Sequence, residues 1–115
     1  MDREGFVDVI RLVVQDGAVD STIAVLSRPP GRKPDPALVA LSGWFNSLSL
    51  QDRQNVERVI REAASYATFG FLCVLDGEKA IENPPDKGTL DLRYRRGVID
   101  VSLTDESDAP LHEFY

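Results

Sequence analysis

Phe69-Gly70-Phe71-Leu72-Cys73-Val74-Leu75, closed by Asp76-Gly77, is the stretch on which the fold turns. It is apolar throughout and shows no alternation. A run of this length and composition, bounded by a turn signal, suits a strand covered on both faces. Downstream, Leu90, Leu92 and Tyr94 alternate with Asp91, Arg93 and Arg95. Ile99, Val101 and Leu103 alternate with Asp100 and Ser102, and Arg96-Gly97 lies between the two sets. That is the pattern of a hairpin with one buried face. With Phe69–Leu75 it makes three strands in sequence.

Upstream of this stretch the periodicity is helical. Phe6, Val9, Ile10 and Val13 follow i, i+3, i+4, i+7 spacing and predict a helix over residues 2–15, with Asp2 as cap and Gly17 at its end. Residues 20–27 read as a shorter helix capped by Asp20, with a buried strand as the competing reading because β-branched residues are frequent there. Four prolines and a glycine over Arg28–Pro36 forbid regular structure. Asp35 and Pro36 then supply an N-cap and first position for a helix to Ser47, with Leu38, Leu41, Trp44 and Phe45 on one face. Ser49 and Asp52 start another, running to about Ala67, with Val56, Val59, Ile60, Ala63 and Ala67 as its core stripe. Residues 83–88 read as a second loop, and the tail from Asp105 ends in one helical turn held by Leu111, Phe114 and Tyr115.

The order predicts an α+β fold: N-terminal helices packed on one face of a small antiparallel three-stranded meander. The chain has 115 residues, 43% of them apolar, which suits a single domain over residues 1–115 with one core. No basic segment precedes an apolar run near the N-terminus, and no apolar stretch approaches the roughly 20 residues of a bilayer span. With a single cysteine, Cys73, there is no disulfide framework, and a cytoplasmic setting is expected.

The formal charge is -6, and its placement is uneven. Residues 1–48 carry six acids against five bases, and residues 49–96 carry eight of each. Residues 97–115 hold Asp100, Asp105, Glu106, Asp108 and Glu113 with no Lys or Arg. An acidic balance opposes non-specific binding to nucleic acid and docking on an anionic membrane. Arg93, Arg95 and Arg96 with Tyr94, and Arg28, Arg32 and Lys33, form two small basic patches that read either as phosphate contacts or as part of a balanced surface.

The candidates for chemistry are sparse. Cys73 and His112 are the only thiol and imidazole, and Cys73 lies in apolar surroundings that disfavour a thiolate. Asp105, Glu106, Asp108 and His112 match no calcium loop, and zinc calls for more Cys or His. No metal, no cofactor and no catalytic residue is therefore assigned. Asp91, Asp100, Arg93 and Arg95 read as solvated cross-strand charge pairs. The competing reading is a small enzyme using them on a phosphorylated small molecule. Trp44-Phe45 reads as core or as a contact hot spot.

Leu48-Ser49-Leu50-Gln51-Asp52-Arg53 opening a helix, Phe69 through Gly77, and the closing Leu111-His112-Glu113-Phe114 resemble the small acidic α+β immunity proteins of bacterial toxin systems. The resemblance covers residues 48–115 and leaves the first 47 outside. It implies a non-catalytic inhibitor that binds a cognate toxin with a basic surface and occludes its active site or substrate channel. On that reading Asp105, Glu106, Asp108 and Glu113 steer the encounter, Phe114 and Tyr115 anchor it, and Asp100 and His112 also belong to the partner-binding surface. The alternative is a structural or adaptor subunit acting through homo- or hetero-oligomerisation, a homodimer included.

Overall fold

The structure, a computed structural model, describes residues 1–83, 85 and 87–115. The first helical body is continuous. Helix α1 (Arg3–Val9) passes into a π-helical segment (Ile10–Asp16) and then into α2 (Gly17–Ser27). Asp2 caps it by accepting from the Gly5 amide at 2.8 Å. Gly17 does not stop the helix: its φ is -60°, an ordinary right-handed value. The wider i→i+5 winding of the π segment shifts the side-chain phase. Val9 and Val13, expected in the core, are exposed, while Val7 and Val19 are buried.

The Arg28–Asp35 connection, with Pro29, Pro30 and Pro34, is irregular. Helix α3 (Pro36–Ser47) begins where Asp35 accepts from the Ala37 amide at 3.1 Å. It packs against α2, burying Phe45 and Ser42. Helix α4 (Leu50–Leu75) starts where the Ser49 hydroxyl accepts from the Asp52 amide at 3.1 Å.

Helix α4 overturns the three-stranded meander. It runs 26 residues and includes all of Phe69–Leu75. No proline or cap interrupts residues 56–75, so extending a formed helix adds one hydrogen bond per residue. A separate strand would need two new ends. The helical spacing also continues: Thr68 and Leu72 are buried, four residues apart, and Leu75 packs against the same cluster. Sheet structure among the described residues is one antiparallel pair, β1 (Arg93–Arg96) and β2 (Ile99–Ser102), with Arg95 opposite Asp100. Gly97, at a φ of 58°, makes the turn, a left-handed conformation that suits glycine. The fold is thus mostly helical with a two-stranded hairpin. The loop expected over residues 83–88 includes Pro84 and Asp86, which lie outside the described residues.

Val7, Leu72, Leu103 and Leu111 form the central cluster, with Phe6, Leu75, Leu92, Tyr94, Phe114 and Tyr115 against it. Each fully buried aliphatic side chain stabilises the fold by about 1.5–3 kcal/mol. The cluster joins α1, α4, the hairpin and the C-terminal 3₁₀ turn (Leu111–Phe114). The C-terminal segment is therefore part of the core. The hairpin is tied on beyond its ladder, since Thr104 Oγ1 donates to the Leu90 carbonyl at 3.0 Å and accepts from the Leu92 amide at 3.0 Å.

Candidate functional site

The acids of the last nineteen residues sit on a scaffold that is fixed at two points. The first is Arg3, 5% exposed at the start of α1. Its guanidinium donates to the carbonyls of Asp105 (2.8 Å), Ala109 (3.0 Å) and Asp108 (3.2 Å) and to the Asp105 carboxylate (2.7 Å). Planar, multi-donor Arg matches such a fan of acceptors. Asp105 also receives the hydroxyl and amide of Ser107. These Ser107 bonds, then the Arg3 charge, hold its carboxyl below the ordinary value.

The second point is Asp76, just past α4, with a side chain 1% exposed. Its carboxylate accepts from the backbone amides of Leu111 and His112 and bonds His112 Nδ1, each at 2.8 Å. The 3₁₀ turn is thereby capped by a residue 35 positions earlier in the chain. The His112 ring meets Phe69 edge-on at 6.0 Å between centroids. Tyr115 closes the arrangement. Its hydroxyl donates to Gln15 Oε1 at 2.7 Å and shares a contact with the Ser65 hydroxyl, and Arg11 lies over its ring at 4.7 Å. Both Arg11 and Gln15 come from the π segment.

These contacts sort the eight residues expected to meet a partner. His112, Phe114 and Tyr115 are half-buried and engaged with α4, α1 or the π segment. Asp105 is engaged with Arg3. Asp100, on the hairpin, bonds Arg93 Nε at 2.8 Å and pairs with Arg95 at 3.6 Å. Glu106, Asp108 and Glu113 are exposed on segments clamped by Arg3 and Asp76, and Asp108 uses one oxygen to accept from the Ala109 amide.

The hairpin charges form a cross-strand network. Arg93 also donates to Asp91 at 3.0 Å, and Ser102 donates to Asp91 at 2.6 Å. The Ser102 bond and then the Arg93 bond lower the Asp91 pKa, and the two carboxylates raise that of Arg93. Between this network and the end of α4 lies a groove of about 710 Å³, lined among others by Leu75, Lys79, Ile81, Lys87, Leu90 and Glu106. It mixes both charge signs. Arg93 enters it already paired with two carboxylates, while Lys79 and Lys87 supply its other cations. No group of three or more His, Cys, Asp or Glu residues is placed to hold a metal among the described residues. Comparison with protein-family models, with curated proteins and with solved structures gives no match for this chain.

A second, apolar surface lies on α4 and α3. Val59, Ala63 and Ala67, assigned by their spacing to the core, are exposed on α4, and Tyr66 beside them is 72% exposed. On α3, Leu41 and Trp44 are also exposed, while Phe45 is buried. The periodic pattern located these stripes correctly as apolar faces. What covers such a face is not written in the periodicity. No helix among the described residues is long and apolar enough to cross a membrane.

Proposed function

We propose that this chain is a non-catalytic protein-binding inhibitor of the immunity type, acting in the cytoplasm on a cognate toxin with a basic surface. The observation that carries the reading is the clamping of the acidic segments by Arg3 and Asp76. Glu106, Asp108 and Glu113 project from backbone fixed by partly buried hydrogen bonds, so little ordering entropy is lost when a partner docks. A fixed array of like charge speeds and orients encounter with a basic cleft. Contact therefore falls to the exposed acids and Asp100 on the hairpin, with His112, Phe114 and Tyr115 holding the array in place.

The test uses charge reversal that leaves the clamps intact: Glu106→Lys with Glu113→Lys. The protein recovered from the native host on the immobilised wild-type chain is expressed alone and together with each form. The reading expects toxicity alone, protection by the wild type, and a slower, less salt-sensitive association with the double variant. A recovered protein that is harmless when expressed alone, or protection at unchanged on-rate and salt dependence, contradicts it.

A further inference from the structure

Residues Ile10–Asp16 are wound as a π-helix between two α-helical stretches of one continuous body. Such i→i+5 winding is rare and mostly confined to single turns. Nothing local specifies it. The segment Ile-Arg-Leu-Val-Val-Gln-Asp holds no proline or glycine, and no side chain caps its start. None of its residues is buried, and Leu12, Val13 and Val14 are more than half exposed. A chain already α-helical on both sides favours continuing as α-helix. The winding therefore comes from contacts with the rest of the chain.

Two tethers run from this helical body to the C-terminal segment. At the segment itself, the Tyr115 hydroxyl donates to Gln15 Oε1 at 2.7 Å, the sole side-chain hydrogen bond of residues 10–16 among the described residues, and Arg11 lies over the Tyr115 ring at 4.7 Å. Tyr115 is fixed in turn on α4, its hydroxyl at Ser65 and its ring 5.6 Å from that of Phe69. A cation over a ring face and a hydroxyl bond are both directional, so they persist only while Arg11 and Gln15 keep their relative phase. At the start of the body, the Arg3 guanidinium holds the carbonyls of Asp105, Asp108 and Ala109 and so fixes the phase of α1. A return to i→i+4 winding between the tethers turns α1 about its axis relative to α2 and breaks this match.

We propose that Ile10–Asp16 is a two-state joint, wound as a π-helix while the Tyr115 and Arg3 tethers both hold and as an α-helix once either is lost. The C-terminal turn and the Arg3 clamp are thereby coupled through the segment. The coupling is reciprocal, as linkage requires: loosening Tyr115 loosens the 105–109 clamp, and loosening the clamp loosens Tyr115. The joint does not depend on the inhibitor reading, since it is a property of the free chain.

The experiment reads the winding of the intact chain by NMR, through scalar couplings across the N–H···O=C bonds of residues 10–16 and through amide hydrogen exchange. The wild type should show i→i+5 partners. Tyr115→Ala and Arg3→Met should each show i→i+4 partners. Each should also act at the other's site by about tenfold in exchange, the scale of one lost hydrogen bond. The readouts are the Ser107 amide for Tyr115→Ala and the Tyr115 amide for Arg3→Met. Tyr115→Phe keeps the ring and removes only the hydroxyl; it should show a mixture of the two pairings and serves where the alanine variant does not fold. Phe45→Ala truncates the α2–α3 contact without touching either tether, so it should lower stability and keep the i→i+5 partners. A wild-type chain with i→i+4 partners overturns the proposal. So does an unmixed i→i+5 pattern in any folded Tyr115 or Arg3 variant, or rewinding in Phe45→Ala.

Discussion

The Arg3 guanidinium and the Asp105 carboxylate meet at 2.7 Å from positions 102 residues apart, and the same guanidinium reaches three carbonyls of the 105–109 segment. One buried side chain at the start of α1 thus fixes the backbone on which the exposed acids stand. Replacing it with Met keeps the apolar stem and removes every donor. Arg3→Met should destabilise the fold by about 2–4 kcal/mol, because partly buried acceptors lose charge-assisted bonds with no substitute. Arg3→Lys should lose less, since one ammonium serves fewer of the four acceptors. Urea midpoints at constant slope measure both. A loss under about 0.5 kcal/mol for Met would show that water replaces the guanidinium freely.

Stability should fall in acid through Asp105 and Asp91. Both carboxyls are held below the ordinary 3.8 in the folded chain, by Ser107 and Arg3 in one case and by Ser102 and Arg93 in the other. A depressed folded pKa contributes stability above the unfolded value and loses it as pH drops through the folded one. The losses therefore begin near pH 4 and grow below it. Asp105→Asn and Asp91→Asn should each flatten the acid limb of a stability profile measured from pH 5 to pH 2. Unchanged limbs in both variants would mean that neither contact persists in solution.

Asp76 and His112 offer a graded comparison. The Asp76 carboxylate serves two backbone amides and one imidazole nitrogen. Asp76→Asn leaves one acceptor oxygen for those partners, so the 3₁₀ turn loses much of its cap. His112→Ala removes only the imidazole bond and the Phe69 contact. Hydrogen exchange at the Leu111 and His112 amides should rise strongly in the first variant and modestly in the second. An Asp76→Asn protein with wild-type protection would show that Leu111 packing alone holds the turn.

Much of this arrangement was legible in local chemistry. Asp35-Pro36 and Ser49 predicted the starts of α3 and α4, because an N-cap acts through residues two or three positions away. The Gly97 turn and the gathering of Arg93, Arg95 and Asp100 on one hairpin face followed from alternation, whereas the register that sets Arg95 opposite Asp100 comes from the structure. The closing residues Leu111, Phe114 and Tyr115 were read as apolar anchors, and they are, but within their own chain. Arg3 carried no local signal, since its acceptors lie about a hundred residues away. The exposed α4 stripe was assigned to the core because periodicity reports that a face is apolar and leaves open which molecule buries it.

Gly70 decides between the strand first expected for Phe69–Leu75 and the helix observed. In a strand it would mark a bulge or a close backbone approach, and a methyl group there would disturb the ladder. In α4 it lies mid-helix, where glycine is less favourable than alanine by about 0.5–1 kcal/mol. An added Cβ would meet only the Lys79 Nζ, at 3.8 Å, an ordinary contact with the end of a flexible side chain. Gly70→Ala should therefore stabilise the protein by about 0.5–1 kcal/mol, with the helical signal retained. Thermal and urea unfolding measure the sign directly. A loss of stability would place the backbone at Gly70 outside the helical register, and the continuation of α4 through Leu75 would fall with it.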